Sequence, residues 1–288
     1  MNILITGENG QVSRALQSAL AGLGNVKALG SQALDLRDGD AIRRTLARER
    51  PGLIINPAAY TAVDQAENDR DTAWAINATA PGILAEQAAE LGVPLVHYST
   101  DYVFDGSKPG PYVEADPTAP LGVYGQSKLA GEQAVAQACE HHLILRTSWV
   151  YSLHGRNFLL TMQRLLQEKP ALRVVADQIG APTWAGTIAA STRQLVERWQ
   201  KGQPGAWGLY HLTAAGETSW FGFAEAIGAQ LREAGKPCAT LTPIPSSEYP
   251  TPAQRPLNSR LDCSKLAREW GVAQPAWGEG LLQCLRGG

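Results

Sequence analysis

Short apolar runs alternate with helical patterns along the first half of the chain. The runs are aliphatic or β-branched and stop at glycine or polar residues, which is typical of strands buried on both faces of a sheet. The predicted strands cover residues 2–6, 25–30, 53–56, 94–99 and 143–147. The predicted helices cover residues 11–22, 38–49, 67–91 (interrupted at Pro81) and 121–140. This alternation predicts right-handed βαβ units and a doubly wound parallel sheet, so the fold class is α/β.

The regular alternation fades after about residue 150. The segment from Thr242 to Pro256 contains five prolines, and proline is confined to loops and sheet edges because it cannot donate a ladder hydrogen bond. We therefore expect a smaller, irregular α/β substrate domain after the sheet. The predicted division gives residues 1–150, plus about 183–213, to a dinucleotide-binding domain and about 151–182 and 214–288 to the substrate domain.

Composition narrows the classes of function. Of 288 residues, 44% are hydrophobic and 18% are charged, and the formal net charge is −2. These values fit a folded globular protein and provide no basic field for nucleic acid or an anionic membrane. A strand begins at residue 2 and no long apolar run exists, so we expect neither a signal peptide nor a membrane span.

The spacing of cysteine and histidine bears on metal and redox chemistry. The four cysteines form no CxxC pair, and the five histidines form no HxxxH or HExxH motif. We therefore expect reduced thiols, a cytoplasmic protein and no catalytic metal.

A glycine-rich turn separates the first strand from the first helix. The pattern Gly7-x-x-Gly10-x-x-Ser13 in this context is typical of a Rossmann-type dinucleotide site. Gly7 permits the tight turn, and Gly10 lets the backbone approach a pyrophosphate held by the helix N-terminus. Ser13 stands where the third glycine is usual. The alternative is a plain βα turn that uses glycine for its backbone freedom.

The end of the second strand normally carries the residue that selects the cofactor. An acidic residue there bonds the ribose 2′-hydroxyl of NADH, but this chain has Leu29-Gly30-Ser31, without a carboxylate or an Arg. We therefore predict poor discrimination between NADH and NADPH. Asp35-Leu36 follows, and its carboxylate either faces the adenine amino group or belongs to a turn. After the third strand, small Ala58 and Ala59 either let the dinucleotide pass or only pack the loop.

Tyr124 and Lys128 are four residues apart on a predicted helix and share one face. A neighbouring ammonium favours the phenolate, so we expect Lys128 to lower the pKa of Tyr124. A ketone that receives a hydride at carbon needs a proton at oxygen, which Tyr124 can give. Thr100 or Ser99, at the end of the preceding strand, can hydrogen-bond the same oxygen, and Lys128 can hold ribose hydroxyls. A plain strand-end turn is the alternative role for Thr100.

Longer motifs surround these residues and continue along the chain. They are Thr6-Gly7-x-x-Gly10, Asn77, Leu95-Val96-His97-Tyr98-Ser99-Thr100-Asp101-Tyr102-Val103-Phe104, Tyr124-x-x-x-Lys128, Arg146-Thr147-Ser148-Trp149-Val150-Tyr151, Asp177-Gln178-x-Gly180-x-Pro182-Thr183, Tyr210-His211 and Arg255-Pro256-x-Asn258-Ser259. On these motifs the chain resembles the extended short-chain dehydrogenases/reductases over nearly its whole length. The likeness is closest to members that reduce a dTDP-linked 4-keto sugar. It implies NADPH- or NADH-dependent reduction of the 4-keto group of dTDP-4-dehydro-6-deoxy-L-mannose.

The resemblance also implies roles for single residues. The implied catalytic set is Thr100, Tyr124 and Lys128. The implied cofactor contacts are Gly10, Gln11, Val12, Asp35, Leu36, Ala58, Ala59, Tyr60 and Lys128, to which the glycine pattern adds Gly7. The implied substrate contacts are Thr100, Asp101, Tyr102, Tyr124 and Trp149, whose indole can stack on a sugar or thymine face.

One departure from the family concerns magnesium and the dimer. Many members carry Glu two positions after the third glycine, near a magnesium-bridged dimer contact, but this chain has Ala15. The departure argues against a magnesium-linked dimer. We therefore expect a monomer or a weak homodimer. The expected small-molecule partner is the dTDP-sugar substrate.

Two other functions stay open at the level of sequence. A sugar-nucleotide epimerase or dehydratase of the same fold keeps its NAD bound through the cycle, whereas a reductase exchanges it. A non-catalytic, NADP-binding regulatory subunit keeps the fold but often loses the catalytic set. Thr100, Tyr124 and Lys128 are all present, which favours an enzyme.

Overall fold

A parallel sheet with helices on both faces forms one part of the protein, and small two-stranded sheets form the other. The computed structural model describes residues 1–287. In that range the strands are β1 (Asn2–Thr6), β2 (Asn25–Leu29), β3 (Leu53–Asn56), β4 (Leu95–Thr100), β5 (His142–Thr147), β6 (Val150–Tyr151), β7 (Ala171–Val175), β8 (Ile179–Gly180), β9 (Thr183–Trp184), β10 (Gly208–His211), β11 (Thr218–Ser219) and β12 (Thr240–Ile244). The α-helices are α1 (Gln11–Leu20), α2 (Gly39–Glu49), α3 (Val63–Ala66), α4 (Arg70–Trp74), α5 (Ala80–Leu91), α6 (Val123–Ala138), α7 (Phe158–Glu168), α8 (Ala185–Gln200), α9 (Trp220–Glu233), α10 (Ser264–Trp270) and α11 (Trp277–Leu285).

The main sheet has six strands in the order β10-β5-β4-β3-β1-β2, and every neighbouring pair is parallel. The predicted Rossmann-type, doubly wound α/β fold is confirmed. The chain crosses to opposite sides of β1 when it forms β2 and β3. Ligands of such sheets bind outside the carboxyl ends of the strands at this reversal.

Alternating side chains of β1 show how the sheet is buried on both faces. Ile3 and Ile5 pack into one apolar cluster with Leu16 of α1. Leu4 packs into the opposite cluster with Leu46 of α2. Each aliphatic side chain buried in this way contributes about 1.5–3 kcal/mol. The apolar run that predicted a two-sided strand therefore holds β1 in the middle of the molecule.

The segment from residue 67 to 91 differs from the single interrupted helix that the sequence predicts. The helical path passes from α4 through a π-helical turn, Ala75–Thr79, into α5. Pro81 lies in the first turn of α5, directly after the π-helical turn, and its missing N–H removes a hydrogen bond from the continuous helical path. The irregularity therefore falls before Pro81, and it places Asn77 at the turn.

The region after β5 has its own apolar cluster. Helices α7 and α9 pack together there, and Tyr151, Phe223 and Leu281 are among its buried members. The strands pair only in twos, as β6 with β9, β7 with β12, and β8 with β11. The proline-rich segment begins inside β12, which has β7 as its neighbour, so its other side is an edge.

Over residues 1–287, no helix is both long and apolar enough to cross a membrane.

Candidate active site

The glycine turn folds tightly against the neighbouring strands. Gly7 has φ 70°, a backbone conformation that side-chain-bearing residues rarely adopt. Its N–H donates to the Leu29 carbonyl at 2.8 Å. A Cβ at Gly7 would lie 2.9 Å from the Cβ of Ala58. The sequence therefore needs glycine here because the turn runs between the ends of β2 and β3.

Helix α1 presents its N-terminus to the cleft between these strands. Gly10 is the N-cap residue, and no side chain caps this end. The first-turn N–H groups are thus available to an anion. The Gln11 side chain instead ties the helix to the second region, because its Oε1 accepts from Ser152 Oγ at 2.9 Å and Asn157 Nδ2 at 2.8 Å.

A buried polar chain crosses the ends of three strands beneath this turn. Thr6 Oγ1 donates to Asn56 Oδ1 at 2.6 Å and accepts from the Ala58 N–H at 3.3 Å. Asn56 Nδ2 lies 3.0 Å from His97 Nδ1. Burial holds the pKa of His97 well below its ordinary value, so the imidazole is neutral. This polar chain fixes the backbone at Ala58, which lines the cleft at the ends of these strands.

A cleft of about 520 Å³ opens at this edge of the sheet. Eight of the predicted site residues line it, namely Gly7, Gly10, Gln11, Val12, Ala58, Ala59, Tyr124 and Lys128. Ser99 and Thr147 line it as well, and in residues 1–287 their buried hydroxyls have no hydrogen-bond partner. A polar ligand group would satisfy them, because buried polar groups are normally paired. The cleft therefore fits a nicotinamide dinucleotide.

Helix α6 carries Tyr124 and Lys128 and is held from two sides. Its Gly122 N-cap contributes no side-chain bond, and Glu67 Oε1 accepts the Val123 N–H at 2.9 Å instead. A Cβ at Gly125 would lie 2.2 Å from the Tyr102 carbonyl oxygen. Glycine between Tyr124 and Lys128 therefore lets the helix approach the end of β4.

Asn77 fixes the other side of this helix. Its Oδ1 accepts the Tyr60 N–H at 2.8 Å, and its Nδ2 donates to the Tyr60 carbonyl at 3.1 Å and to Ser127 Oγ at 3.1 Å. Ser127 in turn donates to the Tyr124 carbonyl at 2.9 Å. The π-helical turn thus connects the loop after β3 with the helix of the Tyr/Lys pair.

Thr100, Tyr124 and Lys128 come together at the end of β4. Burial raises the pKa of Tyr124 to about 12, while a hydrogen bond with Thr100 acts in the opposite direction. Burial lowers the pKa of Lys128 to about 8, and its Nζ donates to the Tyr98 carbonyl at 2.6 Å. The expectation that Lys128 lowers the pKa of Tyr124 is wrong for this structure, because burial dominates. The result is a neutral phenol, which is the state that a proton donor needs.

Asp101 and Tyr102 adjoin this set. Thr100 Oγ1 donates to Asp101 Oδ1 at 3.1 Å and accepts the Tyr102 N–H at 3.2 Å, so the strand-end turn offered as an alternative is also present. Burial raises the pKa of Asp101 to about 6. The rings of Tyr102 and Tyr124 meet edge to face with centroids 5.4 Å apart. Beside them, Arg255 binds both oxygens of Asp64, at 3.0 and 2.9 Å.

Trp149 lies just beyond β5 in a strained conformation. Its φ is 49°, which is exceptional for a bulky residue and costs about 1–3 kcal/mol. Its indole stacks on Trp220, with ring centroids 3.6 Å apart and an interplanar angle of 11°. A Cβ at Gly180 would lie 2.7 Å from the Trp149 ring. One indole face is therefore covered by protein, and Trp149 does not line the cofactor cleft described above.

Three predicted cofactor residues lie outside that cleft lining. Asp35 is held by Arg37, whose Nη2 donates to Asp35 Oδ2 at 2.7 Å, and it also accepts the Arg37 N–H at 2.9 Å. This is the turn role offered as the alternative. Leu36 packs against the apolar cluster that contains Leu4. Tyr60 donates from its hydroxyl to Asp69 Oδ2 at 3.0 Å.

Sequence reasoning missed several residues of the site. Glu67 and Asp64 act on elements far along the chain, and no local pattern points to them. Arg255, the partner of Asp64, was visible only as part of a longer motif. Asn77 was visible only as part of a longer motif, because its role depends on the π-helical turn. Arg156 lines the cleft from the loop after β6, where the sequence shows no periodicity.

Magnesium does not fit the surface around Ala15. A concavity of about 650 Å³ lies there between α1 and α8, and its lining contains no Asp or Glu. Across residues 1–287, no cluster of three or more His, Cys, Asp or Glu side chains could hold a metal ion. Magnesium prefers carboxylate oxygens, so no step is assigned to it.

Solved structures share this architecture over the whole chain. The crystal structure of dTDP-4-dehydrorhamnose reductase from Bacillus anthracis in complex with NADP has a TM-score of 0.91 at 36% identity, covering 100% of this chain and 99% of that one. A Thermus thermophilus UDP-glucose 4-epimerase in complex with NAD has a TM-score of 0.80 at 20% identity, covering 100% and 99%. At that identity the epimerase shows the fold alone.

Sequence comparisons point the same way. A dTDP-4-dehydrorhamnose reductase of Burkholderia thailandensis is 46% identical over 293 residues, covering 99% of this chain and 98% of the relative. The Escherichia coli K12 protein of that name is 44% identical over 291 residues, covering 99% and 97%. A family model described as the RmlD substrate binding domain matches residues 1–287. The chain therefore belongs to the RmlD family, that of the dTDP-4-dehydrorhamnose reductases.

Proposed function

We propose that the protein reduces the 4-keto group of dTDP-4-dehydro-6-deoxy-L-mannose with NAD(P)H and releases dTDP-L-rhamnose. The observation that carries this proposal is the meeting of Thr100, Tyr124 and Lys128 beside the dinucleotide cleft. It is an NAD(P)H-dependent oxidoreductase, as its relatives are.

The cleft binds the cofactor along the ends of β1 and β3. The first turn of α1, with Gln11 and Val12, holds the pyrophosphate by backbone N–H groups, and Gly7 and Gly10 keep the turn free of side chains so that the pyrophosphate can approach. Arg156 lines the same cleft and adds a cation. The bound nicotinamide supplies the hydride, and the unpaired hydroxyls of Ser99 and Thr147 orient its polar group.

Tyr124 gives the proton that the reduced carbonyl oxygen needs. Its raised pKa keeps the phenol protonated at neutral pH, and Thr100 holds the hydroxyl in place. Lys128 is charged below a pH of about 8, the value to which burial lowers its pKa. Its ammonium donates to the Tyr98 carbonyl and holds the ribose hydroxyls beside the reacting phenol.

The substrate occupies the side of the cleft towards the second region. Asp101 and Tyr102 follow Thr100 at the end of β4, and their positions support contacts with the sugar. Trp220 covers one face of the Trp149 indole. This supports a substrate contact through the edge of the indole or its N–H, rather than ligand rings stacked on both of its faces.

We propose the same division of the chain as the sequence suggested. Residues 1–150 and about 183–213 form the cofactor unit, and about 151–182 and 214–288 form the substrate unit. The separate apolar cluster around Phe223 supports this division. Four free cysteines support a reducing cytoplasmic setting, and the proposed assembly is a monomer or weak homodimer.

A direct assay tests the function. Purified protein is incubated with dTDP-4-dehydro-6-deoxy-L-mannose and NADPH, and the loss of cofactor absorbance is followed together with the product by mass spectrometry. A gain of two hydrogen atoms in the nucleotide sugar supports the reductase. Isomerised or dehydrated sugar without loss of NADPH, or NAD that survives dialysis of the protein, would indicate an epimerase or dehydratase instead.

A further inference from the structure

The end of β2 is where a dinucleotide-binding sheet reads the adenine ribose, yet the strand itself supplies no charged group there. Leu29, Gly30 and Ser31 carry no carboxylate and no cation. The structure brings a charge to this place from the glycine turn instead. The N–H groups of Gly7 and Glu8 both donate to the Leu29 carbonyl, at 2.8 and 3.3 Å, which lays the turn against the strand end.

The Glu8 carboxylate occupies the space that a side chain at position 30 would fill. A Cβ built on Gly30 would lie 3.0 Å from Glu8 Oε2. Gly30 lines the cleft, as do Gly7 and Asn9 on either side of Glu8. Glu8 is exposed, and within residues 1–287 its carboxylate makes no hydrogen bond or ion pair.

The rival acidic residue is already engaged. Both carboxylate oxygens of Asp35 accept from Arg37, at distances between 2.7 and 3.2 Å. That ion pair holds the pKa of Asp35 at about 2. Its charge is compensated by Arg37, whereas the carboxylate of Glu8 is available to a ligand.

We propose that Glu8 reads the 2′-position of the adenine ribose and favours NADH over NADPH. A carboxylate there accepts hydrogen bonds from the ribose hydroxyls of NADH and repels the 2′-phosphate of NADPH. The inference rests on the proposed function. Where the sequence of the second strand end predicted poor discrimination between NADH and NADPH, the position of Glu8 predicts a preference for NADH.

Calorimetric titration with NAD⁺ and NADP⁺ tests the proposal without turnover. The variants are Glu8→Gln, the rival Asp35→Asn and the control Glu140→Gln. Glu140 is an exposed residue just before the amino end of β5, and it does not line the cleft. Glu8→Gln should raise the affinity ratio of NADP⁺ to NAD⁺ by about tenfold, the order of one unscreened charge contact. The two other variants should leave this ratio within about twofold of the wild-type value.

Two further measurements locate the effect. Titration with 2′,5′-ADP against 5′-AMP should reproduce the shift, because these ligands differ only in the 2′-phosphate. Raising the salt concentration should reduce the difference between the affinities of the wild-type protein for NAD⁺ and NADP⁺, because salt screens the charge of an exposed carboxylate. Steady-state kcat/KM values with NADPH and NADH should change in the same ratio.

The outcomes separate this inference from the proposed function. If Glu8→Gln binds both cofactors with the wild-type ratio, Glu8 is not the selector, while the reductase stands. A shift in Asp35→Asn alone would move the selector to Asp35 and overturn the proposal. Failure of the folded wild-type protein to bind either nucleotide would overturn the cofactor site and this inference together.

Discussion

In the region of the parallel sheet, several candidate side chains stand where strands end, whereas in the region after β5 they stand on loops that long-range contacts hold. Thr6, Asn56 and Thr100 are the last residues of β1, β3 and β4. By contrast, Arg255 lies in the proline-rich segment and is fixed by Asp64, 191 residues away along the chain. In a parallel sheet, the strand ends alone bring side chains together at one place. In the second region, the loops are held by contacts with residues of the first region, as Arg255 is by Asp64.

This difference predicts that substitutions in the two regions should affect different kinetic parameters. Substitutions at the strand ends and on α6 should affect the chemical step, because those elements hold the reacting groups. Substitutions in the second region should affect substrate affinity. The variants below test whether effects on turnover and effects on substrate affinity divide between the two regions in this way.

The largest effect is expected for Tyr124→Phe. The variant loses the proton donor but keeps the ring that packs against Tyr102, so the fold and NADPH affinity should persist. The turnover number should fall by about 10²–10⁴, the usual contribution of a general acid. Stopped-flow and steady-state kinetics check this, with calorimetry for NADPH as the control. Turnover at the wild-type rate would remove Tyr124 from the mechanism.

The charge of Lys128 should produce a falling limb in the pH profile. Burial lowers the pKa of this ammonium from 10.5 to about 8, so the charged form is lost as the pH rises through that value. We expect kcat/KM to fall about tenfold per pH unit above it. In Lys128→Arg the cation persists to much higher pH, so this limb should shift upward even if the rate is lower. A flat wild-type profile up to pH about 10 would contradict the assignment.

Trp149→Ala tests the second region. Loss of the indole should raise KM for the nucleotide sugar about tenfold, the order of one aromatic contact, with NADPH affinity nearly unchanged. Calorimetry with dTDP and with NADPH measures both effects. The control is Trp199→Phe, which alters a tryptophan packed against the main-sheet cluster. Unaltered dTDP affinity would remove Trp149 as a nucleotide contact, and a loss of NADPH affinity would place it on the cofactor side.

Glu67→Ala should have a smaller effect, of a different kind. The carboxylate caps α6 through the Val123 N–H, and loss of a helix cap costs about 0.5–2 kcal/mol. Chemical denaturation should show that cost, and Glu67→Gln should recover part of it because the amide oxygen still accepts the bond. A drop in kcat that follows the stability loss in both variants would support a positioning role. A stability unchanged in Glu67→Ala would exclude the cap.

Removal of metal should have the smallest effect. The surface around Ala15 offers no carboxylate, so dialysis against EDTA should leave activity and molecular mass in solution unchanged. Activity that falls on chelation and returns with magnesium would reveal a metal site built from residues of more than one chain.

The sequence by itself determined the order of the elements up to β5 and the positions of the candidate catalytic residues. Apolar runs marked β1, which stops at Gly7, and β3, which stops at Asn56, since burial on both faces requires continuous apolar residues. Tyr124 and Lys128 were found from their spacing, because residues four apart share a helix face whatever surrounds the helix. Thr100 followed from the end of β4, as strand ends carry the ligands of such sheets.

Only the tertiary structure decided the electrostatics and the long-range partners. The pKa of Tyr124 depends on burial by several elements at once, and spacing alone gave the wrong direction. Glu67 caps a helix that begins 56 residues later, and Glu8 reaches Gly30 only when the turn lies against β2. Local patterns report what a segment does on its own. The pKa of a side chain, its burial and the capping of a helix depend on which segments are in contact, and the packing of the whole chain determines those contacts.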